Sequence, residues 1–314
     1  MRIAFAAKPL RRHKQHFEEF MMSAWITLSL IAVAIGCVGK KETSPATQSS
    51  SHAEGTQSVK NGQSPPGGHG QMEMPTPRKL VVGTAPAYPR AGAMTKLVLQ
   101  IQDDDGTPIK RFEMLHEQLI HLILVRDGLD EFAHLHPQVD KMGMITTEFA
   151  FPKSGNYRLF ADHQPQGKSA SVASGELVVA GDDEPAERLM PNASPVVAVG
   201  ELRAHVTVKS GDQEPMVRLH LADAAGRTVD DLQPYLGAMG HLVIISADGS
   251  EYLHAHPVNE AQAAPEGVVE FAAHFPKAGI YKAWGQFRRH NSILIVPFVM
   301  EHKRGPAHPH AGGH

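Results

Sequence analysis

LIHLILVRDGLDEFAHLHP spans residues 119–137, and GHLVIISADGSEYLHAHP spans residues 240–257. Each reads as an apolar strand, a turn and a second strand. Asp-Gly is a favoured hairpin tip. With Asp248 and Gly249 at the tip, Ala247 faces Ser250, and the register sets His241 opposite His256 with His254 diagonal to it. The same register sets His121 opposite His136, although Asp127-Gly128 stands one residue earlier than Asp248-Gly249 does in its own copy. An even loop length is essential, because a three-residue loop would turn His121 and His241 to the other face.

The same signature extends outward. KLVLQIQ (96–102), ITTEFAF (145–151), YRLFAD (157–162) and GELVV (175–179) are further strand-like runs between turn signals such as DDDG, RDG and PKSG. No long helical periodicity is present, and many short strands at regular spacing predict an all-β sandwich. The pattern is then written again. QDDDGTPI (102–109) aligns with ADAAGRTV (222–229), His121 with His241, and EFAHLHP (131–137) with EYLHAHP (251–257), all at one offset of 120. FPKSGNYR (151–158) aligns with FPKAGIYK (275–282) at offset 124, so the loop after the HxHP motif is four residues longer in the second copy. The predicted organisation is a signal segment (1–36), a disordered tether (37–78), β-sandwich domain 1 (79–180), a linker (181–194), β-sandwich domain 2 (195–303) and a His-rich tail (304–314). The tether is rich in Ser, Gly, Gln and Pro and lacks the apolar residues needed to offset its ordering entropy.

Histidine chemistry is the strongest functional signal. The chain carries 20 histidines, and imidazole is the commonest metal ligand among side chains. In a strand, residues i and i+2 share a face, so His134 pairs with His136 and His254 with His256. Cross-strand partners lie about 4.5–5.5 Å apart at Cβ and diagonal ones about 7–8 Å, so three imidazoles could converge on an ion about 2 Å from each nitrogen. Two trios are expected, one per domain: His121, His134, His136 and His241, His254, His256. Met239, two residues before His241 and on the same face, is expected as a further metal ligand, with His116 and His163 as additional candidate ligands in the first copy. Imidazole accepts copper and zinc alike, and thioethers shift the preference to copper; His69, Met72 and Met74 of the tether and His308, His310 and His314 of the tail add loose ligands. Neutral imidazoles are required, so binding is expected to weaken below about pH 6. Packed, hydrogen-bonded histidines in a tandem interaction module are the alternative, with Phe132 and Tyr252 as contact aromatics.

Other classes are excluded. The formal net charge of −3 and the lack of a basic patch argue against nucleic acid. No G-x-S-x-G, HExxH or P-loop occurs, and Glu131 and Glu251 fall on the strand face opposite the histidine pair, so no enzyme is expected. Blue-copper chemistry needs a thiolate, and the one cysteine, Cys37, has another use. It follows the basic residues Arg2, Lys8, Arg11, Arg12 and Lys14 and the apolar run AWITLSLIAVAIG (24–36). That run is shorter than the roughly 20 residues of a membrane span, and a basic region before a short apolar core reads as a secretory signal.

A-I-G-C (34–37) resembles the lipobox of bacterial lipoproteins, which implies lipidation at Cys37, a membrane partner through that anchor, and a place in the cell envelope facing the periplasm or exterior. DLQPYLGAMGHLVIISADGSEYLHAHP (231–257) and FPKAGIYK (275–282), with their counterparts HLILVRDGLDEFAHLHP and FPKSGNYR, resemble a family of secreted bacterial proteins with immunoglobulin-like modules of the FixH or YtkA type. More distantly they resemble periplasmic copper-carrier sandwiches. The resemblance implies two tandem immunoglobulin-like β-sandwich domains. The expected role is copper binding, in preference to zinc, for storage, delivery or resistance, with a metal transporter or another envelope protein as partner.

Overall fold

A computed structural model describes residues 78–303, apart from 183, 184, 187, 210–214 and 259–264. The signal segment, Cys37, the tether up to residue 77 and the tail lie outside the described residues. The first domain contains β1 (Arg78–Ala85), β2 (Met94–Gln102), β3 (Phe112–Glu113), β4 (Ile120–Arg126), β5 (Phe132–Leu135), β6 (Gln138–Val139), β7 (Ile145–Ala150), β8 (Gly155–Pro165) and β9 (Ser171–Val179). The second contains β10 (Val196–Val199), β11 (Leu202–Lys209), β12 (Met216–Asp223), β13 (Leu232–Gln233), β14 (His241–Ser246), β15 (Tyr252–Ala255), β16 (Val268–Ala272), β17 (Gly279–Arg289) and β18 (Ser292–His302). Among the described residues the only helical element is a 3-10 turn, Pro265–Gly267.

Each domain is a sandwich of the immunoglobulin-like kind. In the second, one sheet runs β10-β11-β12-β16, and the other runs β15-β14-β17-β18 with β13 on the edge of β17. The first repeats this with β6, β7, β2 and β1 facing β5, β4, β8 and β9; two parallel pairs between β1 and β9 join its two layers. Period-2 alternation fills the space between the layers. Leu97, Leu99 and Ile101 of β2 point inward to Leu122, Leu124 and Leu159; Leu219 and Leu221 of β12 meet Leu242, Ile244 and Phe287. Burying each such side chain contributes about 1.5–3 kcal/mol.

The repeated FPKxGxY segment forms a tyrosine corner, a device of such sandwiches in which a Tyr near the start of a strand bonds back to the preceding backbone. Tyr157 Oη donates to the Lys153 carbonyl at 2.9 Å, and Tyr281 Oη to the Lys277 carbonyl at 2.7 Å. Lys153 also pairs with Glu131 at 2.9 Å, and Lys277 with Glu251 at 3.4 Å. The two glutamates are thus tied to the corner beneath their own hairpin.

The hairpins carry the expected register. β4 pairs with β5 as Leu122↔Leu135 and Ile123↔His134, and β14 with β15 as Leu242↔Ala255 and Val243↔His254. Continued by one pair, the ladders put His121 opposite His136 and His241 opposite His256. Both loops are four residues long, closed by Arg126 N–H to Glu131 O at 3.2 Å and Ser246 N–H to Glu251 O at 3.0 Å. The earlier glycine of the first loop changes no register: Gly128 and Leu129 both take positive φ (87° and 59°), and Gly249 takes φ 68°.

Every residue of β4 and β14 is buried. One face of each strand belongs to its own sandwich. The other is covered by the partner domain, through a third apolar cluster of Ile123, Val125, Phe160, Val243, Ile245 and Trp284. The two domains therefore pack through their β4/β8 and β14/β17 faces, in a pseudo-twofold manner. Phe132 stacks on Trp284 at 4.5 Å, and its counterpart Tyr252 stacks on Phe160, the counterpart of Trp284, also at 4.5 Å.

Candidate metal centre

The histidines lie on this covered face. His121 and His241 continue the outward rows of Ile123/Val125 and Val243/Ile245, and both are fully buried. Each trio can offer one nitrogen per ring, with all three nitrogens within 4.8 Å of one another. The geometry is closest to a ligand set in the way the remaining nitrogens are used. His121 Nε2 lies 2.9 Å from the Leu115 carbonyl and His241 Nε2 lies 2.8 Å from the Tyr235 carbonyl. A carbonyl only accepts, so both Nε2 atoms carry the proton and both Nδ1 atoms present a lone pair.

The HxH histidines are oriented from the other domain. His134 Nδ1 donates to Gln286 Oε1 at 3.0 Å, and His254 Nδ1 donates to Asp162 Oδ2 at 2.6 Å. Asp162 and Gln286 occupy equivalent positions of the two repeats. Each stands beside the first histidine of its own domain, His121↔Asp162 and His241↔Gln286. Tyr252 Oη adds a second donor to Asp162 Oδ2, at 2.6 Å. Both HxH leading histidines thus turn Nε2, as a lone pair, into the cluster.

The result is a concentration of buried ring nitrogens with no hydrogen-bond partner among the described residues. His136 Nε2, His241 Nδ1, His254 Nε2 and His256 Nε2 are all buried without a partner. His121 Nδ1 and His134 Nε2 approach to 3.1 Å, within hydrogen-bond distance. Burial pushes the imidazoles of His121 and His136 down to about 4 and that of His241 to about 3. His134 and His256 are lowered by the same cause first and by neighbouring imidazoles second. These rings are neutral at pH 7, as ligation requires. A ring that donates one nitrogen's proton to a fixed acceptor and turns the other nitrogen inward is how metal-ligating histidine is generally oriented. The donor set therefore fits a late first-row ion.

The family described as "Domain of unknown function (DUF8832)" matches residues 80–178 and again 200–304. The chain belongs to the DUF8832 family. Its two DUF8832 repeats coincide with the two sandwiches, and each contributes one trio. No curated protein matches the sequence. Among solved structures, the chain is similar to the adhesin FdeC of Escherichia coli, with 16% identity and a TM-score of 0.23 over 72% of this chain and 64% of that one. It is also similar to InvD of Yersinia pseudotuberculosis, with 12% identity and a TM-score of 0.23 over 70% and 57%. The chain thus spans less than two thirds of the length of either.

Other residues singled out in the sequence take different places within the DUF8832 pair. Met239 is packed in the hydrophobic core of the second sandwich with Leu242 and Ile244, 7% exposed; it belongs to the layer behind the histidines. His163 uses both nitrogens, Nδ1 with the Ala161 carbonyl at 3.0 Å and Nε2 with Ser171 Oγ at 3.2 Å, and is structural. His116 crosses to the other domain and stacks on His256 at 3.6 Å between centroids. Phe132 and Tyr252 are occupied by the domain interface.

Asp162 and Gln286, which hold the HxH histidines, and Trp284 of the domain interface are positions that the sequence reading passes over. A signal for them exists. LIHLILV and HLVIIS are continuous apolar runs, which need cover on both faces, and the offset of 124 then aligns Phe160 with Trp284 and Asp162 with Gln286.

Proposed function

We propose that this protein binds metal ions through His121, His134 and His136 and through His241, His254 and His256, with copper preferred over zinc. One observation carries the reading: four imidazole nitrogens of the cluster, on His136, His241, His254 and His256, are buried with no hydrogen-bond partner among the described residues. An unsatisfied buried acceptor costs about 1–3 kcal/mol, so purely structural histidines would burden the fold at several positions at once. Coordination removes that cost. The preference for copper rests on the sequence, where His69, Met72 and Met74 of the tether offer thioether and imidazole to incoming Cu(I).

The protein acts in the cell envelope, held to a membrane by lipid at Cys37, in metal storage, delivery or resistance. The signal-like segment and the resemblance to FixH- and YtkA-type modules support that setting, and a metal transporter or another envelope protein is the partner expected there. The chemistry it needs is capture and release; no residue is assigned a catalytic role. Metal analysis of the full chain after loading with Cu or Zn, beside His134→Ala/His254→Ala, tests the reading. Tightly held metal that falls away in the variant is expected. Equal metal in both would return the histidines to a packing role and leave an interaction module as the better account.

A further inference from the structure

The two trios lie directly against each other. Centroid spacings within the first trio are 4.7, 5.1 and 5.3 Å. Within the second they are 4.8, 4.9 and 5.5 Å. Between the trios, His134–His254 is 5.4 Å and His121–His254 is 5.5 Å; His121–His241 and His134–His241 are 6.3 and 6.4 Å. His254 is as near to the first trio as it is to His241 of its own.

The supports are interleaved in the same way. Gln286 of the second domain orients a ligand of the first, and Asp162 of the first orients a ligand of the second. His116 reaches from the first domain to lie on His256. It stands at the tip of a two-residue turn closed by Leu115 and Gln118, with φ 45°, followed by Glu117 at φ 65°. Paired positive φ values are those of a type I′ turn, and the equivalent turn of the second domain has Leu236 at φ 53° and Gly237 at φ 76°.

We propose that the six histidines form one dinuclear copper centre at the domain interface, with two ions close enough to share a bridging oxygen ligand such as hydroxide. This rests on the metal-binding reading and adds that the sites are one unit. Two-metal sites hold their ions about 3.5–4 Å apart. Three imidazoles per ion leave open positions on each, and the rings of the two trios interpenetrate too closely for independent mononuclear sites. The Asp162/Gln286 difference makes the halves unequal, with the carboxylate-supported trio of the second domain the better donor set. The interface is therefore part of the site: neither sandwich alone supplies the orienting group for its own leading histidine.

The test is spin counting. The full chain is loaded with Cu(II), freed of loosely held copper by dialysis against a weak chelator, and measured for copper content and for electron paramagnetic resonance intensity. Two copper ions per chain with an integrated signal well below two spins are expected, because bridged Cu(II) pairs couple antiferromagnetically. His256→Ala, which removes one ligand of the second trio, should lower the copper content yet raise the signal per copper toward one spin. Packing damage alone would not produce that opposite movement. Two copper ions with two full, non-interacting spins, or a single ion per chain, would overturn the pairing and leave metal binding intact. No tightly held copper would overturn both.

Discussion

Asp162 accepts two hydrogen bonds on one oxygen, from His254 Nδ1 and Tyr252 Oη, each 2.6 Å long. A carboxylate behind a ligating imidazole strengthens it as a metal donor, whereas a neutral amide only orients its ring. Asp162→Asn keeps an acceptor and removes that charge. It should weaken the second half of the centre by about 10-fold to 100-fold, read by chelator competition, while Gln286→Glu should strengthen the first half. Unchanged affinities in both variants would reduce the pair to an interface contact. Burial together with Asp162 also pushes the Tyr252 hydroxyl well above its ordinary range, so Tyr252 serves as a fixed donor. At the corners, Tyr157→Phe and Tyr281→Phe each delete one hydrogen bond and should cost about 1 kcal/mol in denaturant unfolding, with metal content unaffected.

The hairpins were the most legible elements. Asp-Gly tips, an even loop and period-2 alternation fixed which histidines share a face, and the ladders follow that register in both copies. Sequence period says which side chains point together, but not what covers them. For this reason the nearness of the two trios is not legible in the sequence, and Met239 read as a metal ligand although the backbone before β14 carries it into the core. One added residue between Asp248 and Gly249 tests the element directly. It would shift β15 by one position against β14 and exchange the faces of His254 and Leu253. The expected outcome is loss of the metal held by the second trio together with marked destabilisation; retained metal would mean that the ligands lie outside the hairpin.

At the scale of the molecule, two sandwiches are joined by stacked aromatic pairs, a shared apolar cluster and the bond from Arg158 Nη1 to the Asp248 carbonyl at 2.8 Å. Trp284 is 3% exposed. Trp284→Ala should cost about 3–5 kcal/mol and divide a single calorimetric transition into two, since each domain keeps its own core. A single transition in the variant would show that the domains remain coupled without this stack. The histidines also set the pH response of the metal-free protein. Their folded values are depressed to about 4 for His121 and His136, against about 6.5 unfolded. The unfolded chain then binds more protons between those limits, so stability is whole above pH 6.5, falls as pH drops toward 4, and levels below. Metal release should accordingly extend below the pH of about 6 at which ordinary imidazoles protonate.

X-ray absorption at the metal edge of the copper-loaded full chain tests the central claim most directly. Each ion should have a first shell dominated by about three imidazole nitrogens near 2.0 Å, with the outer-shell scattering of rigid rings, lost in His134→Ala/His254→Ala. A shell of oxygens alone, or one that survives in the variant, would contradict the assignment of the interface histidines as the metal centre.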